Sequence, residues 1–169
     1  GVGLSGLDGG LFTAVPHTDF EKNDYGLVGD IISVNPKIVQ DTLDQGYIPV
    51  ISSVAGGLKD GQSYNINADA AAAKMAAALK AKKLILLTDV KGLMRDPSDE
   101  STLIQDLKIS QVPVLIKEGV IKGGMIPKVD CCIEAVRQGV ESVNIQDGRV
   151  PHSILMELLS NDGIGTMFI

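Results

Sequence analysis

The chain has 169 residues, enough for a core of ordinary size, and carries 15 Lys and Arg against 21 Asp and Glu for a net charge of −6. That acidic balance excludes a nucleic-acid binder driven by counterion release, and a hydrophobic fraction of 44% excludes a disordered tail. No apolar run reaches the roughly 18 residues of a membrane span, and the adjacent Cys131 and Cys132 cannot build a disulfide framework, which points to a reducing compartment.

The chain opens at Gly1, not Met, and has no charged-then-apolar leader, so it reads as processed, trimmed or part of a longer chain. Residues 1–14, apolar and glycine-rich, read as a strand, a glycine turn and a second strand. Residues 15–25, with His17, Asp19, Glu21, Lys22, Asn23 and Asp24, read as an exposed hairpin loop. Residues 27–34 are β-rich; Asn35 as cap, Pro36 in the first turn and Gly46 as stop then predict a helix. Residues 47–54 read as a buried strand, and Gly56-Gly57 and Asp60-Gly61 mark a loop. The alanine-rich stretch 67–81 predicts a helix capped by Asn67 or Asp69. Residues 83–90, a continuous apolar run with a polar end, predict a strand buried on both faces of a parallel sheet. A polar loop follows through Asp96-Pro97, residues 110–118 read as a helix interrupted by Pro113, and 122–140 as a glycine turn entering a helix that stops at Gly139. A strand over 142–147, a helix over 152–160 and a closing strand over 165–169 complete an α/β fold. With no repeat or linker, residues 1–169 read as a single domain.

Ligands of open α/β sheets bind beyond the carboxyl ends of the strands, and three segments suit that position. Tyr64-Asn65-Ile66-Asn67-Ala68-Asp69 enters the alanine helix with short polar side chains at alternating positions. Asn65 and Asn67 offer donors and acceptors, and Asp69 can orient nearby cations; the same spacing also reads as a helix cap with a spare asparagine. Thr88-Asp89-Val90-Lys91-Gly92 suits the phosphates, ribose or base edge of a nucleotide, and reads equally as an Asx-type turn leaving a strand. Lys122-Gly123-Gly124-Met125-Ile126-Pro127-Lys128 sets paired glycine amides before a helix, where the dipole favours an anion. Lys128 in the first turn opposes that dipole, a conflict a phosphate would relieve; the plainer alternative is a solvated lysine. There is no Gly-x-x-x-x-Gly-Lys-Ser/Thr loop, and Gly1-x-Gly3-x-x-Gly6 lacks the preceding strand and acidic partner of a dinucleotide fingerprint. No metal-ligand set or Ser/His/Asp grouping emerges: His17 falls in a loop, His152 at a helix entry, and the cysteines read as core and surface neighbours.

Taken in order, YNINADAAAAKMA, KLILLTDVKGL, GVIKGGMIPKV and DGRVPHSILMELLSNDGIGTM make the chain similar, over essentially its whole length, to the C-terminal half of the N-acetyl-L-glutamate kinase family within the amino-acid kinase superfamily. That family phosphorylates the γ-carboxylate of N-acetyl-L-glutamate with MgATP in arginine biosynthesis. The resemblance implies a three-layer α/β architecture, an open, mainly parallel sheet with helices on both faces. It implies that Asn65 contacts the substrate's α-carboxylate with Asn67 beside it, that Asp69 orients the catalytic lysines, and that Lys128 stabilises the leaving phosphate. Thr88, Asp89, Val90, Lys91, Gly92, Leu93 and Met94, with Val120, Ile121, Lys122, Gly123, Gly124 and Met125, resemble the wall around ATP. Mg²⁺ would be held mainly by phosphates, with no protein ligand assigned. The family's N-terminal substrate lobe, with its Lys-x-Gly-Gly segment, has no counterpart in this sequence, which implies a chain that holds nucleotide but turns over acetylglutamate negligibly by itself. Residues 152–166 resemble the end of arginine-inhibited members, with Glu157 and Gly163 as effector residues and Asn144 where those members carry a histidine. A cytoplasmic location and a homo-oligomeric full-length parent, with neither nucleic-acid nor membrane partner, are further expectations. The rival readings are another amino-acid kinase (glutamate 5-kinase, aspartokinase, carbamate kinase or a nucleoside-monophosphate kinase) and a non-catalytic module holding nucleotide or arginine. GGMIPKV and GIGTM together are not expected in the first rival.

Overall fold

The computed structural model describes residues 1–18, 23, 25–159 and 163–169, and the chain divides into two compact units, Gly1–Leu79 and Lys80–Ile169. In the first unit β1 (Val2–Ser5) pairs in parallel with β4 (Pro49–Ser52). A separate sheet runs in the order β3 (Gly29–Val34), β2 (Phe12–Pro16), β5 (Val54–Gly57), β6 (Ser63–Asn65). The β2–β3 and β5–β6 pairs are antiparallel, and β2 and β5 run parallel.

Residues 47–54 therefore do not form one buried strand. The chain breaks at Ser53, whose carbonyl accepts the Ile66 N–H at 2.9 Å, and β5 joins a different sheet. Ile48 and Val50 remain 71% and 62% exposed, so one face of β4 is open. Gly56 and Gly57, expected in a loop, pair with Thr13 and Ala14 of β2; ladder bonds outweigh the turn preference of glycine here. Of the expected hairpin-loop residues, Asp19, Glu21, Lys22 and Asp24 lie outside the described residues, while His17 joins Asp30 across the β2–β3 hairpin at 2.8 Å.

Helix α1 (Lys37–Asp44) starts from Pro36 without a side-chain cap. The expected cap, Asn35, instead spends its amide on the Gly9 carbonyl at 3.0 Å and receives the Lys37 N–H only at 3.4 Å. Helix α2 (Ala68–Ala78) is capped as its sequence predicts: Asn67 Oδ1 accepts the Ala70 N–H at 3.1 Å. Its buried stripe, Ala71 and Met75, joins Leu11, Phe12, Ala14, Ile31, Val39 and Tyr64 in the core of this unit.

The second unit holds one sheet in the order β7 (Lys83–Thr88), β9 (Ser142–Asp147), β10 (Thr166–Phe168), β8 (Asp106–Leu107). β7 runs parallel to β9 and β8 parallel to β10, while β9 and β10 are antiparallel. The α/β class is thus as the alternation of elements predicts, with some antiparallel neighbours among the parallel ones. β7 is an edge strand, and half-exposed Leu87 shows that it is not buried on both faces; one neighbour instead of two leaves that side chain uncovered. Helix α3 (Val112–Lys117) is not interrupted by Pro113, which sits in its first turn, where the missing N–H has no helical acceptor to lose. Helix α4 (Met125–Arg137) packs on β9 and β10 through Val129, Cys132 and Ala135, all buried, with Cys131 half-buried beside them. Helix α5 (Ser153–Leu159) follows His152, whose φ of +60° turns the chain into it.

Candidate functional site

The carboxyl ends of β7 and β9 lie side by side, because the strands are parallel and their last paired residues are Thr88 and Asp147. The Gly148 N–H donates to the Thr88 carbonyl at 2.9 Å, closing this end of the sheet. Beyond β7 the turn is made by a hydroxyl: Thr88 Oγ1 accepts the Val90 N–H at 3.1 Å and donates to the Val90 carbonyl at 2.9 Å. That arrangement leaves the Asp89 side chain exposed at the end of the sheet. Lys91 is half-exposed and pairs with Glu100, while Gly92 and Leu93 turn inward and are buried. The segment from Thr88 to Met94 thus offers a charged, solvent-facing start and an anchored end.

Helix α4 reaches the same end of the sheet by simple geometry. It ends a short turn before β9 begins and packs on that strand, so its start points toward Asp147. Its 13 residues span about 20 Å at 1.5 Å each, and the 6 residues of β9 span about 20 Å at 3.4 Å each. The Gly123–Gly124 turn thus belongs to the end of α4 that faces the carboxyl end of β9. Gly123 has a φ of +56°, and a side chain at either glycine would meet nothing within 4 Å, so the space above this turn is open. The first helical amides are already spent, Met125 N–H on Lys122 at 3.2 Å and Ile126 N–H on Gly123 at 3.1 Å. An anion at this turn must therefore use the glycine amides and the lysines rather than the helix amides. Val120 and Ile121 anchor the turn, both amides donating to the Leu115 carbonyl, and Ile121 is buried. Lys122 is exposed, and Lys128 is half-buried in a first turn without an acidic residue.

Three sets of contacts were not foreseen in the sequence, although Glu157 and Gly163 were expected as effector residues. Arg149 returns across Gly148 to grip Asp147, Nε to Oδ1 at 2.9 Å and Nη2 to Oδ2 at 2.8 Å, with its backbone N–H also on Oδ1 at 2.9 Å. These bonds, side-chain first, hold the Asp147 carboxyl down at about 2 and raise the Arg149 guanidinium. Arg149 itself stays 68% exposed at the end of the sheet. The Asp-Gly-Arg spacing after a strand was a legible local signal for this clamp. Second, the Glu157 carboxylate is buried and accepts Lys83 Nζ at 2.9 Å, Asn144 Nδ2 at 2.7 Å and the Ile164 N–H at 3.4 Å. Gly163 closes on it, since a Cβ there would stand 3.4 Å from Glu157 Oε2. Third, Thr166 Oγ1 accepts the Leu93 N–H at 2.8 Å.

In the first unit, Asn65 ends β6 exposed, its N–H on the Leu27 carbonyl at 2.8 Å. Asn67 caps α2, and Asp69 lies half-buried in the first turn of that helix. The two groups of expected site residues thus fall in different units: Asn65, Asn67 and Asp69 in the first, and the Thr88–Met94 and Val120–Lys128 segments in the second. Among the described residues no three His, Cys, Asp or Glu side chains are grouped to hold a metal ion, and no helix is long and apolar enough to cross a membrane.

The model of the amino acid kinase family matches residues 2–147. The chain belongs to the amino acid kinase family. Among its amino acid kinase relatives, acetylglutamate kinase of Clostridium beijerinckii is 60% identical over 166 residues, covering 98% of this chain and 58% of the relative. Acetylglutamate kinase of Heliobacterium modesticaldum is 52% identical over 176 residues, covering 99% of this chain and 59% of the relative. The chain thus spans less than two thirds of the length of these relatives. N-acetylglutamate synthase from Neisseria gonorrhoeae, solved with coenzyme A and L-arginine, superposes with a TM-score of 0.83 at 27% identity over 98% of this chain and 37% of that one.

Proposed function

We propose that this chain is the ATP-holding part of an acetylglutamate kinase, a cytoplasmic enzyme that transfers the γ-phosphoryl group of ATP to the γ-carboxylate of N-acetyl-L-glutamate. What supports the reading is the Thr88–Met94 turn at the carboxyl end of β7, beside that of β9, together with the open Gly123–Gly124 turn at the start of the helix that packs on β9. The names and 60% and 52% identities of the two relatives supply the substrate. The residues at this end fit a metal-bound triphosphate: room above two glycines, an exposed carboxylate at Asp89, and cations at Lys91, Lys122 and Lys128. Magnesium carried in on the phosphates would neutralise part of their charge.

Phosphoryl transfer asks little covalent chemistry of a protein and much positioning and positive charge. In this reading Asp89–Met94 and Val120–Met125 line the nucleotide, the Gly123 and Gly124 amides meet phosphate oxygens, and Lys128 stabilises the leaving phosphate. Lys128 belongs where its helix would otherwise disfavour it, because a phosphate at the helix start offsets the like-signed dipole. Asn65 takes the substrate's α-carboxylate with Asn67 beside it, and Asp69 supplies a carboxylate to the catalytic machinery. The rest of the relatives' length supplies the remaining substrate contacts, so the 169-residue chain binds nucleotide but turns over acetylglutamate negligibly.

Calorimetric titration of the chain with MgATP and MgADP tests this. Saturable binding is expected, weakened for MgATP in Lys128→Ala or left unchanged if that lysine acts only in the transition state. A folded wild-type chain that gives no heat at millimolar nucleotide would refute the nucleotide assignment. Turnover by the chain at the rate of a full-length relative would refute the division of labour.

An arginine effector site at Glu157 and Gly163 of the full-length parent is the second part of the proposal, supported by the resemblance of residues 152–166 to the end of arginine-inhibited members. L-arginine is expected to shift the acetylglutamate saturation curve of the full-length parent, and an unmoved curve sinks it.

A further inference from the structure

The GIGTM segment carries a residue that the effector reading does not use. Thr166 opens β10, has no solvent exposure and is fixed by its antiparallel pairing with Ile145 of β9. Its hydroxyl oxygen does not serve the ladder. It accepts the Leu93 N–H at 2.8 Å, across 73 positions of sequence, at the buried end of the turn that begins at Thr88. The approach is close all along that turn: a Cβ on Gly92, whose φ is +150°, would stand 2.6 Å from Thr166 Oγ1 and 3.0 Å from Thr166 N. The far side of the turn is secured independently, Leu93 O by the Ile104 N–H at 2.8 Å and Met94 by an antiparallel bridge to Leu103.

Thr166 is a buried strand position between Gly165 and Met167, and β-branched Thr and Val have nearly the same shape. What threonine adds is one acceptor, and that acceptor meets one amide of the turn. We propose that Thr166 is a positioning residue for the adenine nucleotide: by tethering Leu93 it fixes the backbone of Asp89–Met94 in the form that receives the ligand. The inference rests on the nucleotide reading of that turn. Thr166 touches no ligand; it acts through Gly92 and Leu93.

The experiment compares Thr166→Val, Thr166→Ala and Thr166→Ser in the 169-residue chain, with folding checked by circular dichroism and MgADP affinity by calorimetry. Thr166→Val leaves the Leu93 N–H buried without its acceptor and is expected to weaken MgADP by about tenfold, equivalent to about 1.4 kcal/mol. Thr166→Ala reports the same loss should the valine variant fail to fold. Thr166→Ser keeps the oxygen and is expected to bind within about twofold of wild type, a rescue that a purely structural role would not produce. Amide exchange at Leu93 is expected to speed up in the valine and alanine variants and not in the serine variant. Folded valine or alanine variants with wild-type affinity overturn the proposal, as does a serine variant as weak as valine. A wild-type chain that binds no nucleotide overturns the nucleotide reading as well, a result distinct from normal binding by all three variants.

Discussion

Replacing Glu157 by leucine probes how much the second unit depends on one buried carboxylate. The Glu157 side chain is 4% exposed and serves three donors: Lys83 Nζ at 2.9 Å, Asn144 Nδ2 at 2.7 Å and the Ile164 N–H at 3.4 Å. Leucine fills a similar volume and removes all three acceptor contacts. Asn144 Oδ1 already lacks a partner among the described residues, so its amide would be left with no bond at either end, at a cost of about 1–3 kcal/mol. Lys83 loses its counter-charge, but 29% of its side chain reaches solvent and rehydrates, which holds its share to the low end. The sum is about 3 kcal/mol, the lower bound for breaking a buried pair from one side. Urea unfolding at constant m-value measures it. Lys83→Met combined with Glu157→Leu is expected to recover at least about 1 kcal/mol, because two apolar groups can replace a buried pair nearly neutrally. A single variant within about 0.5 kcal/mol of wild type, or strict additivity in the cycle, would refute the reasoning.

Gly165→Ala sets a methyl group into the Ile145 carbonyl oxygen and 2.9 Å from Gln146 Cβ, so a loss of about 3 kcal/mol or more is expected, and an unchanged melting temperature contradicts it. Asn67→Ala removes the cap of α2 and is expected to cost about 1 kcal/mol by urea unfolding, with Asn67→Asp retaining most of it. Asp147 is held at about 2 in the folded chain against an ordinary 3.8, chiefly by Arg149. A depressed carboxyl stabilises above its unfolded value, so the stability gap between wild type and Asp147→Asn should hold steady from neutral pH down to about 4 and close as pH falls toward 2. A gap that widens below pH 4 contradicts that sign.

What could be read from sequence were the features whose cause is local. Asn67 sits three positions before Ala70 and alanines follow it, so the α2 cap and helix needed no tertiary information. The glycine turn before α4 and the end of β7 near Thr88 were equally local. The misreadings came from distant partners. Asn35 has the right chemistry for a cap, but Gly9, 26 positions away, takes its amide. The apolar run at 47–54 carries no mark of the break that Ile66 imposes at Ser53. Lys83 and Glu157 stand 74 positions apart, and Leu93 and Thr166 stand 73 apart, so neither pair leaves a pattern in the chain. The Asp147–Arg149 clamp spans only two positions, and its Asp-Gly-Arg spacing after a strand was legible in the chain.

Two positions separate the Ile164 amide, held by Glu157, from the Thr166 hydroxyl, which holds Leu93. Only Gly165 lies between them, in a bend where a Cβ would run into the Ile145 carbonyl oxygen and Gln146 Cβ, so one close-packed stretch of backbone serves both contacts and a substitution at Gly165 is expected to disturb the two together.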